Sequence, residues 1–338
     1  MKRLQLSRAQ ILAYRRTVQA LDQRLPPGPD SLRQAAWAGL QDSMPRAALL
    51  SIHARVAGTT SSAWEDPSLV QVWGPRYSVY VVAARDLAVF TLGRWPDDAR
   101  GRRKAGEVAA SMRDVLGERR MRDRDVADAM GGVGNRIRYA APTGTILIRW
   151  EGALAPTIWA VPAPKVDPMD ARIELARRYL HVFGPTTAEA FAEWAGIGAA
   201  QGRVAFAALD GSLTPVRTPI GDAWILTADE PVIRAKAAPA AAARLLPSGD
   251  PFYLLQGADR ELLVPEAERR RSLWTSRVWP GAVLLRGEVI GTWRRAGATV
   301  LIQSWRELQA GDRAAIEAEA ESLPLPNLAA RVHARWDD

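Results

Sequence analysis

The chain has 338 residues, 48% of them hydrophobic, so it is long enough for two or three cored domains and too apolar for general disorder. Cysteine is absent and the three histidines, His53, His181 and His333, are scattered, so we expect no disulfide, no thiolate nucleophile, no metal site and no cofactor. Lys and Arg (45) exceed Asp and Glu (37) by a net charge of +8, and Arg dominates. Arg binds phosphate oxygens through two parallel hydrogen bonds, so the excess fits an anionic partner, but it equally fits an arginine-rich proteome encoded by GC-rich DNA.

The first part of the chain predicts a helix over 7–21, followed by the Pro/Gly break LPPGPD. Two more helical stretches follow, SLRQAAWAG (31–39) and PRAALLSIHARVAG (45–58). The runs LVQVWG (69–74) and SVYVVAA (78–84) then predict two strands.

A second stretch repeats this pattern. Helices are predicted over 105–118 and 121–131, with Asp123 or Asp125 near the second cap, and residues 133–144 lie where a recognition helix belongs. Residues 145–162 predict two wing strands joined by a turn that contains Gly152.

The third stretch gives the clearest pattern. Residues 167–184 predict a helix, Thr186 or Thr187 caps the next one, and Gly196 ends it. A helix over 199–209 and a hairpin over 213–226, with its turn at Gly221 and Asp222, complete the unit. A helix, a helix-turn-helix and a two-stranded wing are typical of the winged-helix module.

After residue 245 the pattern changes to strand-like runs at 251–266, 280–295 and 299–305, followed by a helix over 311–323 and a polar tail. Arg286, Gly287 and Glu288 predict a tight hairpin tip. The predicted fold class is therefore α+β, with tandem winged-helix modules and a β-rich C-terminal domain. The predicted boundaries are 1–95, 96–165, 166–245 and 246–338.

Tandem winged helices in a basic chain favour DNA binding, although winged helices also serve as protein-interaction scaffolds. Each cationic cluster has the alternative interpretation of a solvated surface paired with nearby acids. The candidate DNA-binding residues are Arg55, Arg102, Arg103, Lys104, Arg120, Arg122, Arg136, Arg286, Arg294 and Arg295. Phosphate contacts from them would make duplex binding salt-dependent, whereas a scaffold would show little such dependence.

Gln41, Asp42 and Ser43 interrupt the apolar pattern just before the helix that begins near Pro45. One interpretation is a helix cap formed by Asp42 or Ser43, with Pro at the first helical position. The other is a site where polar side chains hold a water for attack on a sugar carbon, with a carboxylate taking the proton. The nearby His53 and Arg55 are interpreted as structural or phosphate-facing.

Three stretches resemble the winged-helix DNA glycosylases of the AlkZ-like family: AGLQDSMPRAALLSIHAR (38–55), YLHVFGPTTAEAFAEWAGI (179–197) and RSLWTSRVWPGAVLLRGEVIGTWRR (271–295). The resemblance implies hydrolysis of the N-glycosidic bond of alkylated purines in double-stranded DNA, including bulky adducts and interstrand crosslinks. It also implies that the second module and the hairpin near Arg286–Arg295 grip the duplex.

The family's catalytic element is Gln-x-Gln or Gln-x-Asp with an apolar middle residue. Gln41 matches its first position, Ser43 stands at the third, and Asp42 occupies the middle, so the candidate catalytic residues are Gln41, Ser43 and Asp42. The departure leaves three possibilities: altered water positioning or substrate, Asp42 acting as the carboxylate, or DNA binding without cleavage, as in a regulator or lesion-sequestering resistance factor.

The remaining expectations concern location and reaction type. No run approaches the roughly 18 apolar residues of a membrane span, and the basic N-terminus lacks a signal-peptide core. We therefore expect a cytoplasmic, nucleoid-associated monomer with no membrane partner. No lysine of the first module beyond Lys2 is placed to form a Schiff base, so lyase activity is not expected.

Overall fold

A computed structural model describes residues 3–42, 44, 46–151, 154–326 and 330–337. The elements of the first stretch are β1 (Leu4–Gln5), α1 (Arg8–Val18), α2 (Pro29–Ala35), β2 (Leu40–Gln41), α3 (Ala47–Arg55), β3 (Leu69–Trp73), β4 (Val79–Ala83) and α4 (Leu87–Thr91). Ser7 caps α1, since its side chain accepts from the backbone of Gln10. The predicted helices and strands are thus present, and β2 is an addition between α2 and α3.

The second stretch contains α5 (Ala99–Leu116), β5 (Met121–Arg122), α6 (Asp123–Ala129), β6 (Ile146–Arg149) and β7 (Thr157–Ala160). The predicted recognition helix is wrong in type, because residues Gly134–Thr143 form a 3₁₀ helix. Pro142 lies inside it and lacks the N–H that an α-helix would use. The predicted wing turn at Gly152 lies outside the described residues.

Strands from these two stretches form one sheet in the order β2-β4-β3-β6-β7-β5. Gln71 of β3 pairs with Ile148 of β6, which joins the first stretch to the second. The boundary predicted near residue 95 therefore falls between elements that share a sheet. The boundaries themselves stay a prediction.

The third stretch forms α7 (Pro168–Phe183), α8 (Ala188–Ala195), α9 (Ala199–Ala208), β8 (Leu213–Thr218), β9 (Gly221–Leu226) and α10 (Glu230–Arg234). Thr187 caps α8 by accepting from Ala190, and Gly196 ends that helix in the left-handed region. The predicted turn residues are wrong by two positions, since Gly221 already pairs with Thr218 in the hairpin. Strand β1 joins this hairpin by pairing in parallel with β8.

The C-terminal part contains β10 (Ala243–Leu246), α11 (Asp259–Leu263), α12 (Ala267–Leu273), β11 (Gly281–Leu285), β12 (Glu288–Ala296), β13 (Thr299–Ser304), α13 (Ala310–Glu321) and β14 (His333–Trp336). The strands form a sheet in the order β10-β11-β12-β13-β14. The predicted tight tip between β11 and β12 is present, with positive φ at Arg286 (48°) and Gly287 (87°). The α+β fold class is confirmed.

Two C-terminal expectations are wrong. Residues 251–266 form no strand. Their apolar run is buried on all sides: Phe252, Tyr253, Leu254 and Leu255. Such a run fits a packed loop as well as a buried strand, because no polar positions mark a solvent-facing side. The predicted polar tail contains β14, which pairs in parallel with β13.

The largest buried cluster contains an aromatic group from α7 and α8. Tyr179 stacks on Phe183 with ring centroids 4.7 Å apart and lies 5.0 Å from Trp194. Such aromatic pairs stabilise by about 0.5–1.5 kcal/mol each beyond the area that they bury. The same cluster includes Leu246 and Phe252 of the C-terminal part, so the predicted modules share one core.

Candidate active site

Gln41 lies on β2, a short strand that pairs antiparallel with β4 and places Gln41 opposite Tyr80. Gly39 makes this strand possible: it has a positive φ of 73°, and a Cβ there would lie 2.9 Å from the Phe90 ring and 3.0 Å from the Tyr80 ring. Successive strand residues point to opposite faces, so Leu40 is fully buried while Gln41 is half-buried.

Asp42 points into the protein and is only 3% exposed. Its Oδ1 accepts from the Ala48 backbone N–H at 3.0 Å and its Oδ2 accepts from Gln71 Nε2 at 2.7 Å. Burial raises the pKa of this carboxyl to about 7, against the lowering effects of these bonds and of the Arg46 charge. Asp42 therefore caps the first turn of α3, which favours the capping interpretation over a carboxylate base facing solvent.

Ser43, the third residue of the predicted catalytic motif, lies outside the described residues. Arg46, three residues further along the chain, immediately precedes α3 and has a positive φ of 65°. The Arg46 guanidinium lies 4.1 Å from the Trp64 ring centroid, and that of Arg149 lies 3.6 Å from it. Both cations thus contact one ring, which connects the start of α3 to the end of β6.

A cleft of about 310 Å³ opens beside this region. Its walls come from the start of α3, the loop after β10 and the β11–β12 hairpin: Met44, Ala47, Leu50, Pro247, Ser248, Val278, Trp279, Pro280, Gly281, Trp293, Arg294 and Arg295. Gln41 is not one of the lining residues, but it packs against Gly249, which follows the lining residue Ser248: a Cβ on Gly249 would lie 3.1 Å from Gln41 Cδ. A largely apolar cleft that is also lined by two arginines suits a large, partly apolar ligand attached to an anion.

Arg294 and Arg295 are exposed on β12, next to the Gly297 turn. Each donates to a backbone carbonyl, Arg294 to Val278 at 3.1 Å and Arg295 to Gly297 at 2.9 Å. Both guanidinium groups keep further N–H donors, so they can also bind phosphate oxygens.

The tip at Arg286 is held against the protein instead. Arg286 pairs with Asp312 at 2.7 Å, and Arg16 donates to the Gly287 carbonyl at 3.4 Å. A Cβ on Gly287 would lie 2.6 Å from the Arg16 guanidinium. The Arg286 side chain nevertheless stays 69% exposed, so its DNA contact stays a prediction, as do those of Arg294 and Arg295.

The predicted cations of the second stretch are all exposed: Arg102, Arg103, Lys104, Arg120, Arg122 and Arg136. Two of them lie over aromatic rings, Lys104 at 3.4 Å from the Tyr139 centroid and Arg120 at 4.4 Å from the Trp159 centroid. This arrangement holds the side chains in place while leaving their polar ends in solvent.

Arg55 has a different role from the predicted phosphate contact. It is 2% exposed, and its guanidinium donates to Asp250 at 2.7 and 2.8 Å, to Gln19 Oε1 at 2.8 Å and to the Ser51 carbonyl at 3.0 Å. These partners leave no exposed donor for DNA. We therefore assign Arg55 to the packing of α3 against the C-terminal part.

His53 is buried and neutral. Burial, followed by the charges of Arg24 and Arg244, lowers its pKa to about 3. Its Nε2 lies 3.2 Å from Arg24 Nη2 and 3.0 Å from Ser322 Oγ. The structural interpretation of His53 fits this environment better than a catalytic one.

Gln71 and Gly249 contact the candidate motif, and Asp250 holds the turn that contains Gly249, but none of the three was predicted from sequence. Gln71 carried a usable signal, since it is a polar residue inside the apolar run LVQVW of a buried strand. Gly249 and Asp250 stand in the sequence PSGDP, which reads as an ordinary turn. Their relation to Gln41 depends on contacts across the whole chain.

Residues 35–324 match the family model described as DNA glycosylase AlkZ-like. The chain belongs to the AlkZ-like DNA glycosylase family. The predicted enzyme class is thereby confirmed, and with it DNA as the substrate of the family. Among curated proteins, none matches the sequence significantly.

AlkZ-like architecture extends over nearly the entire chain. The solved structure of the Streptomyces sahachiroi DNA glycosylase AlkZ is similar, with a TM-score of 0.78 and 20% sequence identity, covering 98% of this chain and 100% of that one. At this identity the likeness shows the shared fold.

Two further features hold for the described residues. Within them, no His, Cys, Asp or Glu side chains come together as a group of three or more that could hold a metal ion. Over the same residues, no helix is long and apolar enough to cross a membrane.

Proposed function

We propose that this protein is a monofunctional glycosylase that hydrolyses the N-glycosidic bond of alkylated purines in double-stranded DNA, with Gln41 as its principal catalytic residue. The observation that carries the proposal is the position of Gln41 on a fixed strand, packed against the turn that supplies Pro247 and Ser248 to a cleft also lined by Arg294 and Arg295. Family membership supplies the reaction class.

An alkylated, cationic purine is a good leaving group, so the enzyme needs no strong general acid. The Gln41 carboxamide can accept from and donate to a water, which holds it for attack on the sugar carbon. The purine leaves as a neutral base with the electron pair of the broken bond, and the proton of the attacking water passes to solvent. Asp42 supports this arrangement from the interior by capping α3, and Ser43 is proposed as a second group near the water.

DNA binding is proposed along two sets of cations. Arg294 and Arg295 lie at the cleft, while the exposed residues of the second stretch supply further phosphate contacts: Arg102, Arg103, Lys104, Arg120, Arg122 and Arg136. The cation count supports a salt-dependent affinity for duplex DNA. We further propose that the protein acts as a monomer at the nucleoid in the cytoplasm, with the four predicted domains as its structural units.

The cleft bears on the size of the lesion. An apolar cavity of about 150 Å³ binds benzene, and this cleft has about 310 Å³ with Val278, Trp279 and Trp293 in its walls. Bulky apolar adducts and interstrand crosslinks are therefore proposed as substrates beside simple methylated purines. A crosslinked base cannot be turned out of the helix, so an open cleft suits it better than a closed pocket.

The test is abasic-site release from a duplex that carries one N7-methylguanine, read as strand breaks after heat or alkali. Wild type should release the base, Gln41→Ala should release it far more slowly, and Gln5→Ala, which changes an exposed strand residue in the β1–β8 sheet, should match wild type. A duplex with a bulky crosslink is assayed in parallel. Tight, salt-dependent duplex binding with no release from either substrate would favour the non-catalytic DNA-binding alternative.

A further inference from the structure

The turn that follows β10 is built around a glycine. The Asp250 backbone N–H donates to the Pro247 carbonyl at 3.0 Å, which closes the turn, and Gly249 has a φ of 77°. A turn with positive φ at its third position favours glycine there. Tyr253 supports the turn from below, because its hydroxyl donates to the Pro247 carbonyl at 2.8 Å.

Asp250 anchors this turn to helix α3. Its carboxylate is 1% exposed and accepts from Arg55 at 2.7 and 2.8 Å, from Ser51 Oγ at 2.7 Å and from the Phe252 N–H at 2.9 Å. Two-pronged Arg–carboxylate pairs are both strong and directional. The position of the turn relative to α3 is therefore fixed on several sides.

The anchored turn packs against the Gln41 side chain. A Cβ on Gly249 would lie 3.1 Å from Gln41 Cδ, 3.3 Å from its Oε1 and 3.4 Å from its Cβ. The β2–β4 pairing already fixes the Gln41 backbone. Gly249 therefore leaves room on one side of the carboxamide that a side chain would take up, and a Cβ there would shift Gln41 by a few tenths of an ångström.

We propose that the turn Pro247–Asp250, held to α3 by the Arg55–Asp250 ion pair, positions the Gln41 carboxamide for catalysis. The proposal rests on the proposed function of Gln41. Gly249 and Asp250 act as positioning residues, since they touch Gln41 or its support. The same turn forms part of the cleft wall through Pro247 and Ser248, so the C-terminal part completes a site that begins on β2.

Gly249→Ala is the direct test, and Gly211→Ala is its matched control. Gly211 has almost the same φ, 76° against 77°, but nothing lies within 4 Å of its Cβ position. Backbone strain is thus equal in the two variants, and only Gly249→Ala displaces Gln41. We measure the single-turnover rate of N7-methylguanine release at saturating enzyme, together with the Kd for the duplex.

Gly249→Ala should lower the rate by roughly threefold to tenfold, because the 3.1 Å contact shifts Gln41 by a few tenths of an ångström and a displacement of about 1 Å costs about a hundredfold. The duplex Kd should stay within about twofold, and Gly211→Ala should match wild type on both measures. In a Gln41→Ala background, Gly249→Ala should have no further effect, because residues that act through one another are not additive. Equal losses in the two backgrounds would overturn the proposal.

The ion pair is tested with Asp250→Asn against Asp86→Asn. Asp86 forms a comparable buried pair with Arg178, at 2.7 Å, in a different part of the fold. Both variants should lose stability, but only Asp250→Asn should also slow release by folded protein. Similar release rates for the two variants would assign Arg55–Asp250 to stability alone and overturn its positioning role.

A readout independent of activity separates this inference from the proposed function. The Gln41 side-chain amide signal is assigned in a ¹⁵N-glutamine-labelled protein by its absence in Gln41→Ala. It should shift in Gly249→Ala and not in Gly211→Ala. If the signal does not shift in Gly249→Ala, the positioning role is overturned. If it does shift but the wild-type protein releases no base, only the proposed function is overturned.

Discussion

Gln71 donates a 2.7 Å hydrogen bond to the buried carboxylate of Asp42. The Gln71 Oε1 in turn accepts from the Trp150 backbone N–H at 2.6 Å. One amide therefore connects the residue beside Gln41 with the end of β6. The candidate catalytic strand is in this way fixed to the second stretch as well as to the C-terminal turn.

Asp42→Asn should change how stability depends on pH. The folded pKa of about 7 lies above the ordinary value of 3.8, so the folded protein holds a proton that the unfolded chain releases. The contribution of Asp42 is fully present below about pH 4 and is lost as pH rises to 7, by roughly 4 kcal/mol at about 1.4 kcal/mol per pKa unit. Chemical denaturation of both proteins from pH 4 to 8 measures it. A constant difference between them would contradict the raised pKa.

Gln71→Ala should destabilise the protein through the loss of buried hydrogen bonds. It leaves the Asp42 carboxylate and the Trp150 N–H without this partner, and a buried polar group left unpaired costs about 1–3 kcal/mol. Gln303→Ala, on an exposed position of β13, is the control and should stay within about 0.5 kcal/mol. Thermal unfolding compares the two variants, and equal losses would show that the Gln71 bonds contribute nothing.

His53→Gln should alter the acid side of the stability curve. The pKa of His53 is about 3 in the folded protein and 6.5 ordinarily, so between these pH values the unfolded chain binds a proton that the folded protein does not bind. The stability contributed by neutral His53 is present above pH 6.5 and falls by roughly 3 kcal/mol on acidification to pH 4. The variant should lack that loss when unfolding is followed by denaturant titration. Base release at pH 7 by the folded variant should be unchanged, and its abolition would contradict the structural interpretation of His53.

Arg294→Gln and Arg295→Gln should each weaken duplex binding and lower its salt dependence by about one unit of log Kd per log salt, as the loss of one phosphate contact does. Arg286→Gln is the control, since Arg286 lies at the turn before β12, at the other end of that strand from Arg294 and Arg295, and pairs with Asp312 of α13. Its salt slope should equal that of wild type. Fluorescence anisotropy at several salt concentrations gives the slopes. A smaller slope for Arg286→Gln alone would support the predicted groove-binding tip.

Local signals in the sequence predicted the third stretch well. The cap at Thr187 and the helix end at Gly196 are short-range features, and both are present. The strand predicted at 251–266 failed because an apolar run such as Phe252–Leu255 does not distinguish a strand from a buried loop. Periodicity is informative only where one side of an element meets solvent.

The candidate site was only partly predictable for a related reason. Gln41 stood out because a polar cluster interrupts an apolar pattern, and the resemblance gave it a role. The burial of Arg55 against Asp250 depends on residues far apart in the chain, and no local spacing indicates it. The sequence alone therefore left Arg55 open to interpretation as a phosphate contact.

The contact between Gln41 and Gly249 has a consequence for the order of synthesis. Chains fold from the N-terminus as they leave the ribosome, so Gln41 emerges long before the turn that packs against it. A nascent or prematurely terminated chain that ends before Pro247 carries the catalytic side chain without its support. If Gln41 and this turn act as proposed, base removal from DNA, which leaves a damaged strand behind, is confined to chains that extend beyond Asp250.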